Sequence, residues 1–275
     1  MENLIVTNFS RPRKRLGQHF LHDSQVIEQI IAAIAPTPTQ HLVEIGAGRG
    51  ALTIPLWQRD SWLDVIEFDR ELAAYLAQHP MLSSRSRIFQ ADALRFDFGQ
   101  LVTAEQPLRV VGNLPYNIAT PLLFHLLEYA KTIQDMTFML QKEVVARIVA
   151  QPATKAYGRL SIMLQYHCQV EHLFDVGREA FQPPPQVISS VVRLIPYTVL
   201  PVTVANFADF AQLVMCAFTQ RRKTLGNSLK SLLDSTAIES AAVDPQARAE
   251  TLALADFVEL ANRFTYVKSK TVVPS

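Results

Sequence analysis

The stretch "VVGNLPYNIATPLLFHLL", Val110 to Leu127, sets Asn113, Leu114, Pro115 and Tyr116 between a β-branched run and an apolar helical one. A turn draws on Gly, Asn or Pro, but it does not require an amide, a restricted carbonyl and an aromatic ring in that order. Asn113 offers a side-chain carbonyl. Leu114 offers a backbone carbonyl whose orientation is restricted by the proline that follows it. Tyr116 offers a flat face on which an extruded base can stack, worth about 1–3 kcal/mol. Two acceptors aimed at the hydrogens of a conjugated ring amine favour a tetrahedral nitrogen, whose lone pair can then attack an electrophilic methyl group in line. Positioning and electrostatics carry such a step, and it needs neither a metal nor a strong base.

Three further strand ends carry matching chemistry. "EIGAGRGALT", Glu44 to Thr53, follows an apolar run and opens a helix, and its glycines allow a tight turn and close backbone approach to a ligand. Gly46, Gly48 and Ala51 also fit the G-x-G-x-x-A form used for dinucleotides. Glu67, at the end of "VIEFD", lies roughly 20 residues beyond the glycines, where a carboxylate accepts both ribose hydroxyls. A nicotinamide dinucleotide and S-adenosylmethionine both satisfy these two features. Asp92 in "FQADAL" decides between them. A carboxylate there accepts a hydrogen bond from an adenine amine, and the space a second nucleotide half would need is taken by "GNLPYN". The reading is therefore an S-adenosylmethionine site whose reactive end points at the fourth strand end.

The elements that must position these residues are legible in the pattern. "HLVEIGAG", "WLDVIEFD", "RIFQADA", "LRVVGN" and "DMTFMLQ" read as strands, with helices starting near Ser24, Ala51, Arg70 and Ile118. Strand–helix alternation implies a parallel sheet with helices on its faces and ligands at the carboxyl ends of the strands. "ISSVVRLIP" is a further strand-like run, and from about Phe207 the pattern is helical. The expected organisation is a basic tail over 1–22, an α/β Rossmann-like methyltransferase domain over 23–198, and a smaller helical RNA-binding domain over 199–275, with a boundary near Pro196–Pro201.

Composition bounds the rest. The chain has 275 residues, 49% hydrophobic and 19% charged, with a net charge of +1, so overall charge says nothing about nucleic acid. Its basic residues are concentrated in "RPRKR" (Arg11, Arg13, Lys14, Arg15) and "QRRK" (Arg221, Arg222, Lys223), which are candidate phosphate contacts. Cys168 and Cys216 suit a reducing compartment and show no ligand spacing, and His22, His41, His79 and His125 are scattered, so no metal is expected. The apolar runs are too short to span a bilayer and the N-terminal stretch lacks a signal-peptide core, so a cytoplasmic protein without a membrane partner is expected.

Taken together, "GQHFL", "EIGAGRGALT", "VIEFD", "QADAL", "GNLPYNIATPLL", "QKEVVARIVA", "KAYGRLSIMLQY", "AFQPPPQVISSVVRL" and "QRRKTLGNSL" resemble the bacterial small-subunit ribosomal RNA adenine dimethyltransferases (the KsgA or RsmA family), in order and over almost the whole chain. The resemblance implies transfer of four methyl groups from S-adenosylmethionine to the exocyclic amines of two adjacent adenosines in the 3′-terminal hairpin loop of 16S rRNA, late in small-subunit biogenesis. A monomer acting on the immature small subunit is expected. The resemblance puts cofactor contacts on His19, Leu21, Gly46, Glu67, Asp92 and Asn113, the amine clamp on Asn113 to Tyr116, and a second aromatic wall on Phe181, at a pocket rim stiffened by Pro183 to Pro185. His19, Leu21 and Phe181 rest on the resemblance alone. The chain departs from the family pattern at His19, where Asn is usual, at Ala47, where Pro is common, and at Gly226, where a basic residue is frequent. The alternatives are a non-catalytic small-subunit assembly factor and a resistance-type enzyme that methylates large-subunit rRNA. "KAYGRLS" and "QRRKTLGNSL" favour the small-subunit reading over the latter.

Overall fold

The computed structural model describes residues 18–271 except Asp60, Ser83, Ala104, Glu105, Tyr116 and Arg221. The chain forms two compact units. Residues through Lys142 with Leu173–Arg193 make the first, and Glu143–His172 with the chain from Leu194 onward make the second. The sequence pattern places one boundary near residue 198. The chain instead leaves the first unit at Glu143, returns at Leu173 and leaves again at Leu194. The excursion carries a helix whose buried face, Leu160, Ile162, Met163 and Leu164, is too apolar to stand alone, and its loop is tied in by the Ala153 N–H, which donates to the Glu250 carbonyl at 2.7 Å.

In chain order the first unit holds β1 (Phe20–Leu21), α1 (Ser24–Ile34), β2 (His41–Ile45), α2 (Thr53–Trp57), β3 (Trp62–Glu67), α3 (Arg70–Ala77), β4 (Ser86–Gln90), β5 (Leu108–Asn113), α4 (Ala119–Leu127) and β6 (Ile133–Gln141). After α5 (Lys142–Ile148) and α6 (Arg159–His167) come β7 (Cys168–Val176), β8 (Phe181–Gln182) and β9 (Ser189–Pro196). The second unit ends with α7 (Phe207–Thr219), α8 (Leu225–Ser228), α9 (Ser235–Glu239) and α10 (Leu254–Thr271).

The main sheet runs β4-β3-β2-β5-β6-β9-β7, with the first five strands parallel, and β1 pairs antiparallel with β8. Every residue of β2 is buried, as a central parallel strand requires. From β2 the chain steps outward through β3 to β4, then crosses back to lay β5 on the other side of β2. That reversal leaves a crevice at the carboxyl ends of β2 and β5, the usual ligand position in an open α/β sheet. The five expected parallel strands and the run before Pro196 are all present. β7 and the two-residue pair β1–β8 have no alternation long enough to read from sequence.

The opposite ends of the strands are held by charge. Arg109 on β5 donates to both Asp135 oxygens on β6, at 2.9 and 2.8 Å, to the Gln40 amide at 2.7 Å, and to the Ile34 carbonyl at 2.6 Å. It thereby satisfies a carbonyl that the end of α1 leaves without an intrahelical partner. α1 itself starts on Asp23, whose carboxylate accepts the Gln25 and Val26 N–H groups, and buries Ile30, Ile31 and Ile34 on one face. On β3, fully buried Asp64 accepts from His41 on β2 at 2.8 Å and from Arg87 on β4 at 2.7 and 2.6 Å. Burial alone would raise the Asp64 carboxyl, but these bonds outweigh it and hold it below the ordinary carboxylate range.

In the second unit, α7 and α10 are joined through Asp209, which accepts from Lys268 at 2.7 Å and Thr265 at 2.9 Å, and through Phe218 stacked on Phe257 at 5.7 Å. Among the described residues no helix is long and apolar enough to cross a membrane. Removing Asp135 strands a buried guanidinium, so Asp135→Ala should cost about 3–5 kcal/mol of stability by urea denaturation. Asp135→Asn, which can still accept from Arg109, should cost less.

Candidate active site

A cavity of about 290 Å³ opens at the carboxyl ends of β2, β3, β4 and β5, near the lower end of the range for small-molecule sites. Its floor is the turn after β2. Gly46, Gly48 and Gly50 all take left-handed φ angles, +73°, +58° and +86°, a region that any side chain would strain. At Gly48 the demand is double, because a Cβ there would lie 3.2 Å from the Phe20 ring. At Gly46 a Cβ would make only ordinary contacts, the nearest with the Asn113 carbonyl oxygen at 3.7 Å. Gly50 escapes a reading of the sequence by G-x-G-x-x-A spacing. The simple alternation of glycine at 46, 48 and 50 is the signal that shows it.

Glu67 ends β3, and its two oxygens each accept one backbone N–H, from Gly48 at 2.9 Å and from Asp69 at 2.8 Å. Burial raises its carboxyl above the ordinary range, and these bonds oppose the rise. A carboxylate oxygen accepts more than one hydrogen bond, so each retains capacity for a hydroxyl donor. Asp92, half-buried after β4, accepts the Leu94 N–H at 3.0 Å with one oxygen. Both acids line the cavity, as do His19, Leu21, Gly46, Asn113, Leu114 and Pro115.

Asn113 is the last residue of β5. Its amide nitrogen donates to the His19 carbonyl at 3.4 Å, which leaves the amide oxygen as the group that can accept. Leu114 is buried and donates its N–H to the Met139 carbonyl at 3.2 Å, fixing the Asn113–Leu114 peptide. Gly112 lets β5 come this close, since a Cβ there would sit 2.5 Å from the Ile45 carbonyl oxygen. Tyr116 lies outside the described residues.

The segment from Gln18 to Leu21 crosses the cavity mouth. Gln18 donates to Asp69 at 3.0 Å, the His19 ring donates from Nδ1 to the Pro183 carbonyl at 2.8 Å, and the Arg49 guanidinium lies 4.4 Å from the centre of the Phe20 ring. The departure at His19 is accommodated because its ring is turned to Pro183 while its backbone carbonyl meets Asn113. Ala47, where Pro is common, is buried in the turn and accepts the Gly50 N–H at 2.9 Å.

Phe181 does not line this cavity. Its side chain is 2% exposed, belongs to the hydrophobic core with Leu21, Val176 and Ala180, and is absent from the cavity wall. It lies in β8, paired across from Leu21. Arg222 and Lys223 are exposed in the turn between α7 and α8. Arg13, Lys14, Arg15 and Arg221 lie outside the described residues. Gly226 packs into α8 with its N–H donating to the Pro245 carbonyl at 2.9 Å. Among the described residues no group of three or more His, Cys, Asp or Glu is placed to hold a metal ion. Cys168 is buried, and burial pushes its thiol up to about 12.

The sequence matches the ribosomal RNA adenine dimethylase family over residues 9–266. The chain belongs to that family. It is 54% identical over 253 residues to the ribosomal RNA small subunit methyltransferase A of Acinetobacter baylyi, covering 92% of each chain. It is 55% identical over 253 residues to the protein of that name from Pseudomonas aeruginosa, covering 92% of this chain and 94% of the other. Among solved structures it is similar to a dimethyladenosine transferase from Plasmodium falciparum (TM-score 0.78, 24% identity, 90% of this chain and 98% of that one), a likeness of fold. It is also similar to the 23S rRNA methyltransferase ErmE (TM-score 0.68, 25% identity, 90% and 99%).

As a member of the adenine dimethylase family the chain is a methyltransferase with a Rossmann-like fold that uses S-adenosylmethionine. The cavity fits that molecule. Three glycines in the turn let a ligand approach the backbone, two acids with acceptor capacity stand at the ends of neighbouring strands, and the buried Glu44 Oε2 on the same wall has no hydrogen-bond partner. Gln18, Glu44, Arg49 and Phe68 also line it, and the sequence pattern assigns them nothing. Gly48→Ala should destabilise by more than the roughly 1–2 kcal/mol of left-handed backbone strain, because it also displaces Phe20. Gly46→Ala should show the backbone strain alone, and thermal denaturation of the two variants compares them.

Proposed function

We propose that this enzyme dimethylates the exocyclic amines of two adjacent adenosines in the 3′-terminal hairpin loop of 16S rRNA within the immature small ribosomal subunit. The observation that carries the reading is the meeting of Asn113, Leu114 and Pro115 with the glycine turn on one cavity wall. The curated relatives at 54–55% identity are named for the small subunit. When bound, S-adenosylmethionine supplies an electrophilic methyl group on a sulfonium.

The chain's own residues position the nucleophile. The Asn113 amide oxygen and the Leu114 carbonyl accept the two hydrogens of the adenine amine and so concentrate its lone pair on nitrogen. Tyr116 stacks on the extruded base. Glu67 accepts the ribose hydroxyls of the methyl donor, Asp92 accepts from its adenine amine, and the His19 and Leu21 segment closes over it. Leu114 sits at the end of a strand rather than on a mobile loop, so these acceptors are held before the substrate arrives, which is how preorganised dipoles lower a barrier. The excess proton left on nitrogen after transfer passes to solvent. A second methyl requires the singly methylated amine to rotate within the same pocket.

The segment from 199 onward serves as the RNA-binding part, with Arg222, Lys223 and Arg221 meeting phosphates together with Arg13, Lys14 and Arg15. Affinity should then fall with salt. The enzyme works as a monomer in the cytoplasm, without a metal.

Asn113→Ala removes one acceptor and leaves the basic segments intact. Methyl transfer to undermethylated small subunits should fall by about 100-fold or more, while binding to the same particles stays within a few-fold of the parent. Parallel loss of both would break the separation between clamp and RNA contacts. Mass spectrometry of the parent enzyme's product should show dimethyladenosine as the end point.

A further inference from the structure

The strand ends on the far side of the clamp from the glycine turn carry an ion pair that the proposed mechanism does not use. β6 runs parallel to β5 with Met139 opposite Asn113, and Lys142 follows at the end of β6. The Lys142 N–H donates to the Ile188 carbonyl at 3.0 Å, which sets the start of β9 against the carboxyl end of β6. Asp175, next to the last residue of β7, accepts from Lys142 Nζ at 2.5 Å with one oxygen. With the other it accepts from the buried Ser190 of β9 at 2.6 Å. Three strand ends are therefore tied together beside the strand that carries the clamp.

As a stabilising device this tie is weak. The Lys142 side chain is 55% exposed and that of Asp175 38%, and an ion pair so open to water contributes about 0–1 kcal/mol. Lys142 is also the first residue of α5, where the free N–H groups of a first turn disfavour a cation. What the tie achieves is placement. Ser190 is fully buried and holds Asp175, and Asp175 holds the ammonium. A lysine ammonium has three donors. One goes to Asp175, and the exposure of the side chain leaves the group open to an anion from solution.

We propose that Lys142, held by Asp175, binds an RNA backbone phosphate next to the extruded adenosine. The proposal rests on the rRNA reading of the site. The donor cavity takes up the ends of β2 to β5. An adenosine gripped at Asn113 and Leu114 stays attached to its strand, so its flanking phosphates lie outside that cavity, over neighbouring strand ends. β6 is the neighbour of β5 on the side away from β2, and Lys142 is the cation at its end. Unlike Arg222 and Lys223, it belongs to the same compact unit as the clamp. A phosphate contact fixes the register of a strand and reads no base. Lys142 therefore sets where the strand lies against the clamp, and the clamp itself recognises the amine.

A contact made equally in the bound complex and in the transition state lowers KM and leaves kcat unchanged. Lys142→Gln should therefore raise KM for undermethylated small subunits by about tenfold, the loss of one hydrogen bond to a charged group. Its kcat should stay within about twofold of the parent. One neutralised phosphate is also one fewer counterion released. The plot of log(kcat/KM) against log salt should become shallower by about 0.7–0.9. A lysine that served the fold alone would leave that slope as it is.

The experiment is steady-state methyl transfer from S-adenosylmethionine to undermethylated small subunits by the full-length enzyme over a series of salt concentrations. It compares the parent with Lys142→Gln, Lys142→Arg and Asp175→Asn, and the affinity of each for S-adenosylmethionine is measured by titration calorimetry. Lys142→Arg should keep the parent's slope. Asp175→Asn should keep it too, because the cation remains, and should raise KM by less than Lys142→Gln does. Affinity for the methyl donor should be the same in all four proteins. An unchanged slope in Lys142→Gln, or a loss confined to kcat, would overturn the proposal. So would weakened donor binding in Lys142→Gln, which would assign the lysine to support of the donor cavity. If the parent binds the donor and methylates no small subunits at any salt concentration, the rRNA reading itself has failed, which is a different result from methylation whose salt dependence ignores Lys142.

Discussion

One carboxylate holds the rim of the cavity together. Glu67 accepts the Gly48 N–H with one oxygen and the Asp69 N–H with the other, so the glycine turn after β2 and the exit from β3 share a single buried anchor. Asp69 in turn accepts the Glu71 N–H to cap α3 and accepts from Gln18 across the mouth. The route Gly48–Glu67–Asp69–Gln18 joins these stretches of chain through hydrogen bonds to charged groups, which are about twice as strong as neutral ones. Burial raises the Glu67 carboxyl, yet backbone donors keep the group useful, because they satisfy part of each oxygen and leave part for a ligand.

The second anchor is the close approach of β5 to β2. Gly112 has no room for a Cβ against the Ile45 carbonyl oxygen, and the residue that follows it, Asn113, is thereby brought against the glycine turn. Asn113 spends its amide nitrogen on the His19 carbonyl, which fixes the orientation of the amide oxygen. Phe20 fills the space that a glycine leaves above the turn, with the Arg49 guanidinium over its ring. The mouth segment and the strand end therefore set each other's positions, although they are distant in sequence. Sites built on strand ends with a supporting layer of this kind hold their geometry more closely than sites built on loops.

Much of this is legible in the sequence because the relevant signals are local. Parallel strands buried on both faces read as apolar runs, and Glu67, Asp92 and Asn113 each sit at or just beyond the end of one, so their convergence follows from strand register and right-handed crossovers. What is not legible depends on pairing across long sequence distance. β1 and β8 are two-residue strands from opposite parts of the first unit, in the register Phe20 with Gln182, and nothing in either stretch shows that the two pair or that Phe181 is buried. The division of the chain is hidden for a similar reason. The apolar residues of α6 have a helical spacing that identifies a buried helix, but spacing does not name the partner, and that partner proves to be the later helical part of the chain.

Glu44 and Asp64 show how the same sheet separates support from chemistry. Both are buried acids, and their strands are neighbours, with Val43 opposite Asp64 and Glu44 opposite Val65. Asp64 lies toward the start of β3, where His41 and Arg87 close around it, and its carboxyl is held low. Glu44 lies one residue from the end of β2, where the sheet opens, and its carboxyl is held high with one oxygen unpartnered. A buried acid that served packing alone would be better replaced by an apolar side chain of similar volume, since a paired charge in a core is often no more stable than a hydrophobe. An unpaired one is worse still. Glu44 differs from Asp64 in standing on the cavity wall. The distance along a strand, counted from its buried start to its open carboxyl end, therefore sorts the acids of this sheet into those paired within the fold and those that line the cavity.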